Sequence, residues 1–391
     1  MRNIVFALAL AISFVPSGAA QPADIPPPPN APALKVLRDS EKAIQGIRTF
    51  RYNARAYALG PAARSMGDVF TGMVSGERPT DANVVPRFRI ELKCDTRQQT
   101  IICDGKKMFV TEGGGRSYAL LDAKDAERLD TVALMLMREL TLPEPFVDEL
   151  FSGKPSYIRQ ESFDGRKLDV VQVKFQGAEN SEWSIDIADQ FPRRVRRTFG
   201  KPPLPSVFIL ELIDFEANPK LPDHVFTLPS TAVMGYAALP VGWKISPWRL
   251  PTPEGDEVDS SSLAGKVVVL HFWSLWSMPS RAFLPTLQAL QNEFGSKEFK
   301  LFAVNSFERG GDPVATLADN GFTFPVLLQG EGLAQQFLVT DPPALYVIGP
   351  DGRVLYASVE SRDSKAVRDA VMHGLTLTEP IQRPTTNPAA K

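Results

Sequence analysis

Two serines three residues apart carry the most suggestive chemistry of this chain, in the segment Trp276-Ser277-Met278-Pro279-Ser280-Arg281. A serine acts as a nucleophile only when a base such as histidine lies within hydrogen-bond reach. The sequence holds three histidines, His224, His271 and His373. His271 falls inside an apolar run, where a packed imidazole is the simpler expectation, and the other two sit in no motif. Neither serine lies in a G-x-S-x-G or S-x-x-K pattern. A serine that starts a helix can instead cap it, by accepting a hydrogen bond from a free backbone N–H. That is the expectation for Ser277.

The only two cysteines, Cys94 and Cys103, form a second pair. Residues 88–94 alternate Phe88, Ile90, Leu92 and Cys94 with Arg89, Glu91 and Lys93, the period of a strand with one dry face. If strands 88–96 and 101–110 form a hairpin centred on Gln98-Gln99, Cys94 lies opposite Cys103, within disulfide range. An even cysteine count in an exported chain then predicts a structural bridge. Eight intervening residues do not make a C-x-x-C, and no companion ligands stand at metal spacing. The sequence thus calls for no metal and no cofactor.

Export follows from the N-terminus: a short positive start at Arg2, an apolar run over 4–15, then Ser17-Gly18-Ala19-Ala20. This is a signal-peptide layout for residues 1–20, and the apolar run is too short for a transmembrane anchor. The expected address is the periplasm. With 391 residues, 43% hydrophobic, 23% charged and a formal net charge of −2, the chain has room for two globular domains. No basic run calls for nucleic acid or an anionic membrane.

The elements that must position these residues fall into two groups. Residues 21–33 are a Pro-rich spacer. A loosely amphipathic helix over 34–47 and strands at 50–55, 88–94, 101–111, 167–175, 182–187, 193–199 and 207–215 flank a helical stretch at 123–151, broken at Pro143 and Pro145. This reads as an α+β domain over 34–230, an antiparallel sheet covering helices. Residues 231–262 are the junction and the start of the second domain, in which Trp243 and Trp248 pack on a domain. From 263 to 379 the order is β-α-β-α-β-β-α. It opens with the continuous apolar run 265–273, a strand buried on both faces. The Asp351-Gly352 turn sits between two later strands. Residues 380–391 are expected to be a disordered tail.

Both groups resemble known families. The segments ICDGKKMFV, FDGRKLDVVQV, EWSIDIADQFPRRV and NPKLPDHVFTLP resemble periplasmic LolA/LolB-like half-barrel domains, which implies a half-barrel and an apolar or lipid ligand. GKVVVLHFWSLWSMPSRAFLPTLQAL and DPPALYVIGPDGRVLYAS are similar to exported TlpA-type thioredoxins, a redoxin branch. There the turn reads W-C-x-P-C-R, so Ser277 and Ser280 stand at the two cysteine positions. The resemblance implies a cis-proline at Pro343 and places the proton-transfer acid of the family at Phe283. Disulfide exchange needs a thiolate attacking sulfur, and this motif has none. The expectation is a redox-inactive thioredoxin-like domain with no catalytic residue. It would bind a protein or peptide in a groove formed by Trp276, Ser277, Met278, Pro279, Ser280 and Pro343. Two alternatives stand beside it: a thiol-disulfide or antioxidant oxidoreductase, and a carrier of lipid or another apolar ligand through the N-terminal domain.

Overall fold

The computed structural model describes residues 30–66, 69–79, 81, 84–95, 97–113, 117–176, 179–200, 205–234, 238–295, 297–359 and 363–378. The signal segment, most of the spacer and the tail lie outside the described residues.

The N-terminal half is built on one twelve-stranded sheet among the described residues. All its pairings are antiparallel except that of Val233–Met234 with Ser117–Asp122. In strand Arg87–Lys93, Phe88, Ile90 and Leu92 are buried while the alternate residues are not. The helix Ala31–Gln45 and a layer of short helical turns between 123 and 151 pack on the sheet. That helix begins at Ala31, inside the segment expected to be spacer, because Pro32 suits the first turn of a helix. The layer is broken into short pieces (Ala123–Arg128, Asp130–Met135, Arg138–Leu140 and Val147–Phe151), with Pro143 and Pro145 in its longest gap. Tyr52 pins it to the sheet: its hydroxyl donates to Met135 O at 2.8 Å and accepts from Met137 N at 2.9 Å. The antiparallel sheet over helices is as read from the sequence; the resemblance implies a half-barrel, and the structure shows the coarser arrangement, a large antiparallel sheet.

The cysteine pairing is overturned by the strand register. Arg87–Lys93 pairs with Gln98–Cys103 so that Cys103 faces Phe88. The reversal lies earlier than expected, closed by Cys94 N donating to Arg97 O at 2.8 Å. Cys94 is thus six residues along the strand from the partner of Cys103, about 20 Å at strand rise, far outside bridging range. Both side chains are thiols. The strand expected over 101–111 is two strands, Gln98–Cys103 and Lys107–Glu112. They turn at Asp104, whose carboxylate accepts from the Lys106 and Lys107 N–H groups at 2.7 Å each. Burial pushes the Cys103 thiol up to about 11, so it stays protonated and unreactive. Unreduced protein should therefore show two titratable thiols when denatured, with Cys103 silent in the native state. A count of zero in denaturant would restore the bridge.

The C-terminal half is a five-stranded sheet. Val267–Trp273 lies between Phe299–Asn305 and Ala344–Ile348, with Val326–Leu327 and Val354–Val359 at the edges. All seven residues of Val267–Trp273 are buried. The helices Met278–Phe294 and Ser364–Thr378 supply Leu284, Leu287, Leu290, Phe294, Val367 and Val371 to the core.

The junction packs rather than links. Trp243 and Trp248 are buried. Gly242 N donates to Val354 O at 2.8 Å and Val354 N to Trp243 O at 3.0 Å. Arg353 Nη1 reaches back to Arg128 O at 2.8 Å and Gly242 O at 2.7 Å. These bonds tie the junction, read from the sequence as also holding the start of the second domain, to both halves.

Candidate functional site

The buried strand Val267–Trp273 delivers the chain to Ser277, which takes an extended conformation (φ −84°, ψ 103°) and caps the helix Met278–Phe294. Its Oγ accepts from Ser280 N at 3.4 Å and donates to Pro342 O at 3.1 Å. Pro279 in the first turn costs no hydrogen bond, because the N–H it lacks has no intrahelical partner there. The Pro342-Pro343 bond is cis, at the position expected from the sequence. Ser277, Ser280 and Pro342 are buried, Trp276 and Pro343 half-buried, and Met278 and Pro279 exposed. Of the six expected groove residues, the structure joins Ser277, Ser280 and the Pro342-Pro343 pair. Met278, 72% exposed, is the apolar side chain the motif turns outward.

A second loop, missed at the level of sequence, holds the motif from the other side. Glu308 Oε2 accepts from Leu275 N and from Asn305 Nδ2, both at 2.9 Å. Burial opposes its ionisation, but these donors and the N–H groups of Arg309 and Gly310 hold its carboxyl below the ordinary range. Trp276 Nε1 donates to Phe307 O at 2.7 Å, and the Arg309 guanidinium stands 3.9 Å from the Trp276 ring centroid. The Gly310-Gly311 pair, both at positive φ, was the one turn signal that could have drawn attention to this loop.

Neither serine of this turn has a histidine base beside its hydroxyl among the described residues. His271 is buried, with its Nε2 3.3 Å from Ser280 O and its ring 5.8 Å from that of Phe283. Burial pushes its pKa down to about 4, so the imidazole is neutral near pH 7. The Ser277 hydroxyl is committed to Pro342 O rather than to a base. His224 lies in the turn Asp223–Phe226 of the other half, and His373 in the helix Ser364–Thr378.

The two serines differ in what they contribute. Ser277 satisfies a helix N–H and a buried carbonyl, whereas the Ser280 hydroxyl is buried without a hydrogen-bond partner. Ser277→Ala should cost about 1–2 kcal/mol, from the lost cap and the orphaned carbonyl. Ser280→Ala should be neutral or stabilising, since it removes an unsatisfied buried hydroxyl. Chemical denaturation of the two variants checks this, and equal losses would contradict the geometry.

A strand–turn–helix with a cis-proline beside the helix start defines a thioredoxin-like redoxin domain. Comparison with known proteins agrees: residues 241–357 match the AhpC/TSA family. The Bacillus subtilis thioredoxin-like protein YneN is 31% identical over 114 residues, covering 28% of this chain and 66% of that protein. The chain thus spans just under two thirds of that relative. The thiol-disulfide oxidoreductase ResA of Bacillus subtilis is 23% identical over 145 residues, 37% of this chain and 81% of that protein. A solved Chlorobium tepidum structure, provisionally assigned as the thiol:disulfide interchange protein DsbE, is 30% identical with a TM-score of 0.33. The match covers 35% of this chain and 99% of that one.

Proposed function

We propose that the C-terminal half is an exported thioredoxin-like domain that holds a polypeptide segment beside Met278 and Pro343 without exchanging its disulfides. The observation that carries this reading is the pair of buried, hydrogen-bonding or shielded serines at the two positions where exchange needs sulfur. Exchange forms a sulfur–sulfur bond to the substrate and releases a thiolate, and Ser277 and Ser280 supply no atom that can do either. What the motif retains is a capped helix start, an adjacent proline pair and an exposed apolar side chain, which suit a segment laid across the turn. No described helix is long and apolar enough to cross a membrane.

The names of the relatives favour a second reading, thiol-disulfide oxidoreductase, for which the sulfur would have to come from Cys94 or Cys103 in the other half. For the N-terminal half, the proposal keeps a LolA/LolB-like sheet over helices with room for a ligand. Its support is the buried face of Phe88, Ile90 and Leu92.

The groove reading is tested with a thiol-blocked, carboxymethylated unfolded polypeptide as probe, titrated while tryptophan emission is followed. Saturable binding is expected, weakened at least tenfold by Met278→Asp, which puts charge on the outward face without touching the core. Binding indifferent to Met278→Asp, or none, would sink it.

A further inference from the structure

Between the helical layer and the larger sheet lies a cavity of about 780 Å³. Its wall includes the apolar side chains of Val85, Phe88, Val132, Leu136, Leu142 and Phe175. It also includes two glutamates, Glu139 and Glu149, each only 6% exposed. Glu139 Oε1 accepts from Arg197 Nη2 at 2.6 Å, while Glu139 Oε2 is buried with no hydrogen-bond partner. Burial first, and then the charge of Glu139, push the Glu149 carboxyl up to about 7. The Arg197 guanidinium bonds Glu139 and reaches Glu149 only through its charge. A buried carboxylate oxygen without a donor is costly, because its lost hydration is not replaced.

The wall that presents Glu139 is fixed. Tyr52 holds Met135 O and Met137 N, and Arg78 donates to Leu140 O at 3.1 Å and Leu142 O at 2.9 Å. The backbone on both sides of Glu139 is thereby tied to the sheet, so its orphaned oxygen is held in place for a donor. The remaining charged groups on the cavity wall, Lys124, Glu127, Arg138, Asp148 and Glu179, are exposed. They are screened by water, which leaves Glu139, Glu149 and Arg197 as the charged groups of the interior, two acids against one base.

We propose that this cavity binds an amphiphile bearing a protonated amine, whose ammonium donates to Glu139 Oε2 and whose hydrocarbon lies against Phe88, Val132 and Leu136. An ammonium supplies both the missing donor and the missing positive charge. An alcohol supplies only the donor, and a carboxylate would meet two carboxyl groups. This rests on the reading of the N-terminal half as a sheet with room for a ligand and adds the ligand's class; octanol binding as tightly as octylammonium would sink the class and leave that reading standing.

The test uses the full chain at pH 7.5 with three probes of equal length, octylammonium, octanol and octanoate, followed by calorimetry and by thermal shift. Octylammonium should bind at least tenfold tighter than octanol and raise Tm, as a ligand of the native state must. Octanoate should bind weaker than either. Glu139→Gln, which keeps the shape and removes the charge, should bring the ammonium-to-alcohol ratio close to one. Glu149→Gln should keep most of the preference. Octanoate binding as tightly as octylammonium overturns the proposal, as does a preference that survives Glu139→Gln or no binding of the ammonium. The order of the three probes on unaltered protein decides the matter even if Glu139→Gln fails to fold.

Discussion

Purified protein is expected to leave insulin disulfides intact in excess dithiothreitol once the uncatalysed rate is subtracted, and Ser277→Cys/Ser280→Cys is expected to reduce them. The reason lies in atoms. A thiolate at 277 would attack the substrate disulfide, form a mixed disulfide and expel one substrate thiolate. The sulfur at 280, as its thiolate, would then attack the sulfur at 277, break the mixed disulfide and expel the second substrate thiolate. This closes a 277–280 bridge that dithiothreitol reopens as it is oxidised to its own cyclic disulfide. The start of helix Met278–Phe294 lies at Ser277, and a helix N-terminus lowers a thiol pKa. Position 280 is buried beside a neutral His271 and Phe283, surroundings that favour a protonated thiol. The double variant should therefore gain measurable turnover yet remain slow, and Ser280→Cys alone should give none. All assays are repeated with Cys94 and Cys103 replaced by alanine. Wild-type turnover that persists there would overturn the redox-inactive reading. Turnover lost with those replacements would place the reaction in the N-terminal half.

The site was legible in sequence to the extent that it depends on local pattern. The unbroken apolar run ending at Trp273 located the central strand. The order Ser277-Met278-Pro279-Ser280 located the helix start, and resemblance located the cis bond at Pro343. Contacts between distant segments were not legible. Glu308 and Arg309 fix Leu275 and Trp276 from a loop about thirty residues on, and nothing in Glu308-Arg309-Gly310-Gly311 states which strand end it will meet. The cysteine error has a different physical origin. Alternation reports which face a residue takes but not where the chain reverses, so shifting the hairpin by three residues kept Phe88, Ile90 and Leu92 buried while moving Cys94 far from Cys103. The helical layer over 123–151 was visible as apolar and Pro-broken. Its buried glutamates were not, because Glu139 and Glu149 look like ordinary surface residues until the sheet closes beneath them.

Gly242→Ala should be among the most damaging small substitutions in the chain, because it strikes the seam between the halves. Gly242 has φ +87°, and a Cβ there would stand 2.0 Å from Asp130 Oδ1 and 2.5 Å from Arg97 Nη1. Those atoms belong to a two-pronged ion pair, Arg97 Nη1 and Nη2 each 3.1 Å from the Asp130 oxygens. Arg97 is only 8% exposed. The left-handed backbone alone costs an L-residue about 1–2 kcal/mol. Displacing a mostly buried ion pair adds roughly 3 kcal/mol, since its charges cannot recover their hydration in place. Gly242 also donates to Val354 O and accepts from Arg353 and from Asp130 N, so it cannot move aside without opening the seam. Gly165 is the control. It has φ +72° and nothing within 4 Å of the same virtual Cβ, so Gly165→Ala should carry only the backbone cost of about 1 kcal/mol. Urea denaturation of the two variants should differ by at least about 2 kcal/mol, most of what the displaced ion pair adds. Equal losses would mean that the Arg97–Asp130 pair yields freely and that the halves are not held in register there.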